Sequence, residues 1–226
     1  MLAQACRSLA LYTAATLVMA GSARAELFSP RGVTTPVLDI VDVVIHNDEV
    51  LAIDPQRRGG IRRAELMVGE EVLWVGARGA IGLVVTDERV LGITAAWGAW
   101  QQAAFKIHES LPCSILLGDR VALVVTDLRA VGISTGGKKI FQSLIGTQER
   151  VIDGLVADNV AVVVTDRRLL GASGFVPGIV ETRVGVHEQV EYSSTLPSFV
   201  TIGTDDRVLV FRAGTASWDF ERVSLR

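Results

Sequence analysis

Cysteine is scarce in this chain: only Cys6 and Cys113 occur. With so few thiols, a small disulfide-stapled scaffold is excluded and the fold must rest on its apolar core. Histidine is scarcer still for a metalloprotein. His46, His108 and His187 stand far apart, and no H-E-x-x-H or Cys/His spacing is present, so no motif for a bound metal exists. A Gly-rich phosphate loop, a G-x-S-x-G elbow and a G-x-G-x-x-G fingerprint are also missing. Positive charge is not in excess. Lys+Arg number 22 against 25 Asp+Glu, a formal charge of -3, which leaves no basic field for nucleic acid or an anionic membrane. Hydrophobic residues at 49% and charged residues at 21% exclude disorder and coiled coil.

One apolar run stands out. Arg7 precedes the stretch Leu9 to Ala20, which Ala23-Arg24-Ala25 follows. This is the n-region, h-region and small-residue cleavage site of an export signal, predicting removal of residues 1–25 before Glu26. The run falls short of the roughly 20 residues of a spanning helix, and no later stretch reaches that length without charge. Cys6 precedes the apolar run, so it is not a lipid-anchor cysteine. The expected product is an exported chain, periplasmic or secreted, with Cys113 as its lone thiol, buried in a strand.

What dominates the rest is repetition. LVVTDERVLGI at 83–93, LVVTDLRAVGI at 123–133, VVVTDRRLLGA at 162–172, IGTDDRVLVF at 202–211 and a diverged VIHNDEVLAI at 44–53 align on Asp48, Asp87, Asp127, Asp166 and Asp205, at intervals of 39, 40, 39 and 39. Thirteen positions after these aspartates stand Ile61, Trp100, Ile140, Ile179 and Trp218, all large and apolar. Each copy holds four short β-branched runs separated by Gly-Asp, Thr-Asp and Gly-rich turns, a strand pattern with no helical period. Five four-stranded units of about 40 residues predict an all-β, five-bladed β-propeller in a single domain, 26–226. Closure is expected through the C-terminal strand, SWDFERVSL, pairing with the N-terminal strands that begin around Pro36–Asp39.

The order V-x-V-x-T-D, R-x-h-x-h, short loop and aromatic-bearing strand, clearest in IDGLVADNVAVVVTDRRLLGASG at 152–174, resembles the repeat of pyrroloquinoline-quinone-type propellers. Trp100 and Trp218 stand where that family has its tryptophan. The family's Ala-x-Asp-x-x-Thr-Gly-x-x-x-Trp tract is absent, so its quinone-binding residues do not carry over and no cofactor is expected. In blade number the chain is similar to tachylectin-type propellers, a resemblance that implies sugar binding.

Three residue sets follow from the repeat. Glu70–Arg89, Glu109–Arg129, Glu149–Arg168 and Glu188–Arg207 recur together, whereas the first copy carries Val50 and Arg31 at those places, so they read as structural ion pairs. As partly exposed pairs they would contribute ~0–1 kcal/mol each. Thirteen positions before the aspartates stand Thr35, Trp74, Ser114, Asp153 and Tyr192, a polar and aromatic set suited to stacking and hydrogen-bonding a sugar, or to packing between blades. The loops between third and fourth strands carry Arg57, Arg58, Trp97, Lys138, Lys139 and Phe175, side chains of the kind that anchor protein partners. The expected function is a non-catalytic binding module for another envelope or secreted protein. A carbohydrate-binding propeller is the first alternative. A glycoside hydrolase using a carboxylate pair among Asp39, Asp42 and Asp153 is the weaker one.

Overall fold

The computed structural model describes residues 40–55, 59–112 and 114–222. All of them belong to one compact unit, Asp39–Arg226. The export signal, Thr35, Asp39, Arg57, Arg58 and Cys113 lie outside the described residues.

Valine- and isoleucine-rich runs of four to seven residues, each ended by a turn, form nineteen strands, and the described residues contain no helix. The strands make five antiparallel meanders. Blade 1 comprises β1 (Asp42–His46), β2 (Glu49–Ile53) and β3 (Ile61–Glu65). Blade 2 comprises β4 (Val72–Arg78), β5 (Ile81–Thr86), β6 (Arg89–Thr94) and β7 (Gln101–Ala104). Blade 3 comprises β8 (Ser114–Leu117), β9 (Val121–Val125), β10 (Arg129–Ser134) and β11 (Phe141–Leu144). Blade 4 comprises β12 (Val151–Val156), β13 (Val160–Thr165), β14 (Arg168–Ser173) and β15 (Ile179–Arg183). Blade 5 comprises β16 (Val190–Leu196), β17 (Phe199–Thr204), β18 (Arg207–Arg212) and β19 (Ser217–Arg222).

The second strands IGLVVT, VALVV and VAVVVT are buried at every position. Such unbroken apolar runs are what a strand covered on both faces requires. Each blade packs on the next through its own apolar cluster: Val50 with Val84 and Leu91 between blades 1 and 2, Leu123 and Val125 with Ala161 and Val163 between blades 3 and 4, and Val162 and Leu169 with Ile202 and Phe211 between blades 4 and 5. Main-chain bonds join the blades as well. Ile40 N donates to Gly79 O (2.7 Å), Ala80 N to Asp119 O, Arg120 N to Asp158 O and Asn159 N to Pro197 O (2.9 Å each), one link per blade pair, made by the turns between first and second strands in blades 2 to 5 and by the residue just ahead of β1 in blade 1. Sequential antiparallel meanders packed face to face are a β-propeller, here with five blades, the first of three strands among the described residues and the others of four.

Two details differ from the sequence reading. Ile45 pairs with Val50 as Val85 pairs with Val90, so Asn47, not Asp48, is the counterpart of Asp87 and the first repeat is one residue out of the expected phase. Asn47 has φ of 53°, the left-handed conformation that asparagine tolerates in a tight hairpin. The position of Arg89 is thus taken in blade 1 by Glu49, which meets Arg63 at 3.3 Å. The second difference concerns the C-terminal strand. β19 pairs with β18 from Arg212↔Ser217 to Arg207↔Arg222, and in blade 1 the place of the other blades' fourth strand is taken by β3. A tight turn ending at Ala216, with φ of 48°, folds β19 straight back onto its own blade, leaving none of it paired with β1, β2 or β3.

Candidate functional site

The turn between second and third strands and the link arriving from the preceding blade meet on one face of the propeller. In blade 2, Arg89 donates from Nε to Glu70 Oε1 and from Nη2 to Glu70 Oε2, both at 2.8 Å. Its Nη2 also reaches Glu65 O of blade 1 at 2.8 Å, and its Nη1 bonds Gln102. Thr86 Oγ1 donates to Glu70 (2.7 Å) and accepts from the Arg89 amide (3.0 Å), while Asp87 accepts from the Glu71 amide (2.8 Å). The same constellation recurs as Glu109–Arg129, Glu149–Arg168 and Glu188–Arg207. Each arginine also bonds a carbonyl on the last strand of the blade before it: Ala104, Leu144 and Arg183 in turn. One clamp therefore stands at each of the four junctions between consecutive blades. In blade 5 the Arg207 guanidinium lies 5.5 Å from the centre of the Phe220 ring, where blades 2 to 4 have Gln102, Gln142 and Glu181.

These pairs are more buried than expected. Glu70 and Glu109 side chains are fully covered, with Arg89 and Arg129 at 9% and 5% exposure, and only Arg168 and Arg207 reach 21%. Burial raises the pKa of Glu70, Glu109 and Glu149, and bonds from arginine, a backbone amide and threonine more than offset it, so all three are lowered. For Glu188 the Arg207 bond is the largest influence and holds the pKa at about 2. A carboxyl whose folded pKa is depressed stabilises the fold above its unfolded pKa and loses that contribution as pH falls through the folded value. Stability is therefore expected to be level above about pH 5 and to fall steadily between pH 4.5 and 2; urea titrations across that range check it. Glu188→Gln is expected to flatten part of this slope.

The first-strand set is divided by the structure. Trp74 packs with the core between blades, its ring lying over Gly76, and Ser114 Oγ sits beside Gly154 of the next blade. Asp153 and Tyr192 are open to solvent, Tyr192 lying over Gly203. Trp74, Asp153 and Tyr192 each follow a β-bulge, an irregularity that re-aims the side chain after it.

The loop set is reordered too. Trp97 was expected at an exposed tip; it is 6% exposed, and its indole N–H donates to Gly137 O of the next blade at 2.7 Å, because a large ring with one donor is best satisfied between two loops. Lys138, Lys139 and Phe175 are exposed and belong to two loops in contact. Gly136 N donates to Gly174 O (2.9 Å), Thr135 Oγ1 donates to the same carbonyl (2.8 Å), and a Cβ on Gly136 would lie 1.9 Å from Phe175 O, so only glycine permits this approach. Arg120, exposed on the adjoining turn, places its guanidinium 5.3 Å from the Phe175 ring centre. Val176 is exposed beside it. The result is one basic and apolar patch on blades 3 and 4, on the face opposite the clamps. Nearer the axis, Arg78 bonds Asp119 (2.7 Å) and Asp158 (3.0 Å), tying the turns of three blades together.

Sequence reasoning did not single out Arg120, Val176 or Arg78. The recurrence of aspartate at 119 and 158, one repeat apart, was the available signal for the last.

No family model and no curated protein matches this chain. Among solved structures it is similar to yeast RCC1 bound to Kap60 (TM-score 0.40, 8% identity, covering 76% of this chain and 54% of that one). It is also similar to AztD from Citrobacter koseri (0.36, 13%, 81% and 60%) and to the WD40 domain of SCAP from fission yeast (0.32, 8%, 82% and 56%). The chain spans little more than half the length of these structures. Among the described residues no helix is long and apolar enough to cross a membrane.

Proposed function

We propose that this chain is an exported, non-catalytic binding module whose loop face captures a protein partner through the patch on blades 3 and 4. The contact between the two loops carries this reading. It holds Lys138, Lys139, Arg120 and Phe175 together on a frame in which each consecutive pair of blades is tied by a clamp and a main-chain link. Arg120 beside an exposed aromatic ring, with Lys138 and Lys139 on the adjoining loop, fits a partner segment bearing carboxylates and an apolar anchor, and a rigid frame lowers the ordering cost of binding. Export is supported by the signal pattern of residues 1–25.

Cross-linking and co-purification of the tagged chain from the envelope of its host tests the reading, with a Lys138→Glu/Lys139→Glu/Phe175→Ala variant alongside. The expected result is a specific partner lost from the variant. Equal capture by both forms would overturn the assignment. Retention of glycan instead, abolished by Asp153→Ala/Tyr192→Ala, would favour the carbohydrate reading, which rests on the exposure of those two side chains.

A further inference from the structure

The clamp face carries a second pattern, independent of the loop patch. Each link between blades closes a turn in which the clamp glutamate amide donates to the residue three before it: Met67, Lys106, Gly146 and Gly185. The glutamate carboxylate accepts from that same residue's amide, at 2.7 to 2.9 Å, so the turn is locked. At the tip of these turns stand Val68, Ile107, Thr147 and Val186. The three aliphatic ones are 108%, 88% and 97% exposed. A β-branched residue recurring at each of these four tips, on a rigid turn and covered by none of the described residues, has no packing role within the blades.

The charges beside the tips are arranged about blade 3. Behind each clamp glutamate comes Glu71, Ser110, Arg150 and Gln189, and behind each turn aspartate comes Glu88, Leu128, Arg167 and Asp206. The amide of the first residue in each pair donates to the turn aspartate at 2.8 to 3.0 Å, so both members lie side by side on this face. At these two positions blade 2 is therefore acidic, blade 3 uncharged and blade 4 basic, with the exposed Lys106 an added charge on the link into blade 3. A recess of about 850 Å³ opens on this side, with Arg167, Arg183, Val184 and Val186 in its wall; of the carboxylates that also line it, Glu149 and Glu181 are paired with Arg168 and Asp166 accepts from the Arg150 amide.

We infer that this face binds a second copy of the chain. Because blades follow one another in order, a two-fold axis through blade 3 exchanges blades 2 and 4. It sets Glu71 and Glu88 of one copy against Arg150 and Arg167 of the other, twice over. The same operation sets Val68 against Val186 and Ile107 against Thr147. A self-complementary patch of this kind is what an isologous dimer requires. Asp48 and Asp206 are opposed as like charges, which restrains the affinity. The loop faces of both copies point outward, free for partners.

Sedimentation velocity of the purified chain tests the inference. A dimer is expected whose dissociation constant rises with salt. Glu71→Arg/Glu88→Arg and Arg150→Glu/Arg167→Glu are each expected to sediment as monomers, with affinity reduced by more than about a hundredfold. Mixed together they are expected to form a heterodimer, because each charge-reversed blade then meets its opposite. Asp206→Lys in the unaltered chain is expected to tighten the dimer. A monomer at high concentration, a dimer indifferent to both reversals, or two folded monomeric variants that do not associate on mixing would overturn it.

Discussion

Replacing Arg129 by alanine is expected to destabilise the fold by about 3–5 kcal/mol, the range for breaking one side of a buried ion pair. The reason lies in what remains. The Glu109 carboxylate has no exposed side-chain surface, and it would keep its bonds from Thr126 Oγ1 (2.7 Å) and the Lys106 amide (2.7 Å) while losing its only countercharge. The carbonyl of Ala104 and the side chain of Gln142 would lose their donor as well. Arg207→Ala is expected to cost roughly half as much, since Arg207 is 21% exposed and water can reach the carboxylate it leaves behind. Replacing both partners, Glu109→Gln with Arg129→Met, is expected to recover part of the loss by removing the stranded charge. Urea denaturation of the four proteins decides the matter. A cost below about 1 kcal/mol for Arg129→Ala would mean the pair behaves as a surface pair.

Phe211→Ala is expected to cost about 3–5 kcal/mol, the usual range for emptying a buried phenylalanine site. Phe211 is fully buried at the junction of blades 4 and 5. Its ring lies 5.0 Å from that of Trp218, and it fills the space above Gly171, where a Cβ would come within 2.6 Å of it. Gly171→Val alone is expected to be destabilising by overpacking. The two changes combined are expected to cost less than their sum, because the new valine enters space vacated by the phenyl ring. A double-mutant cycle by thermal unfolding measures this coupling; strict additivity would show that the two residues do not share a site.

Much of the architecture was legible before any coordinate. Strand formation depends on residues one and two apart, so runs such as VAVVVT, bounded by Asn159 and Asp166, announce strands directly. Repetition of those runs at 39 and 40 residues then implies equivalent units stacked on one another. Pairing glutamate with arginine was also within reach, because the two recur together in four copies. Their burial was not, since it arises from the preceding blade's last strand, which covers each arginine and donates no signal at the arginine's own position. The phase of the first repeat was misread by one residue for a similar reason: Asp48 looks like the repeated aspartate, and only the pairing of Ile45 with Val50 shows that Asn47 takes its place.

The loop patch divides along the same line. Exposed character at Lys138, Lys139 and Phe175 followed from residue type, yet Trp97 in an equivalent loop is buried, and Arg120 comes from a turn nearly twenty residues earlier in the chain. By itself the sequence determined that this protein is built from five like β-units, where their strands fall and which residues recur, because those properties depend on local pattern and period. Which strand partners the C-terminal one, which charges are buried and which loops meet to make a surface were decided only by tertiary structure, because each depends on how separate strands and loops come together, from the neighbouring hairpin of β18 and β19 to loops a full repeat apart.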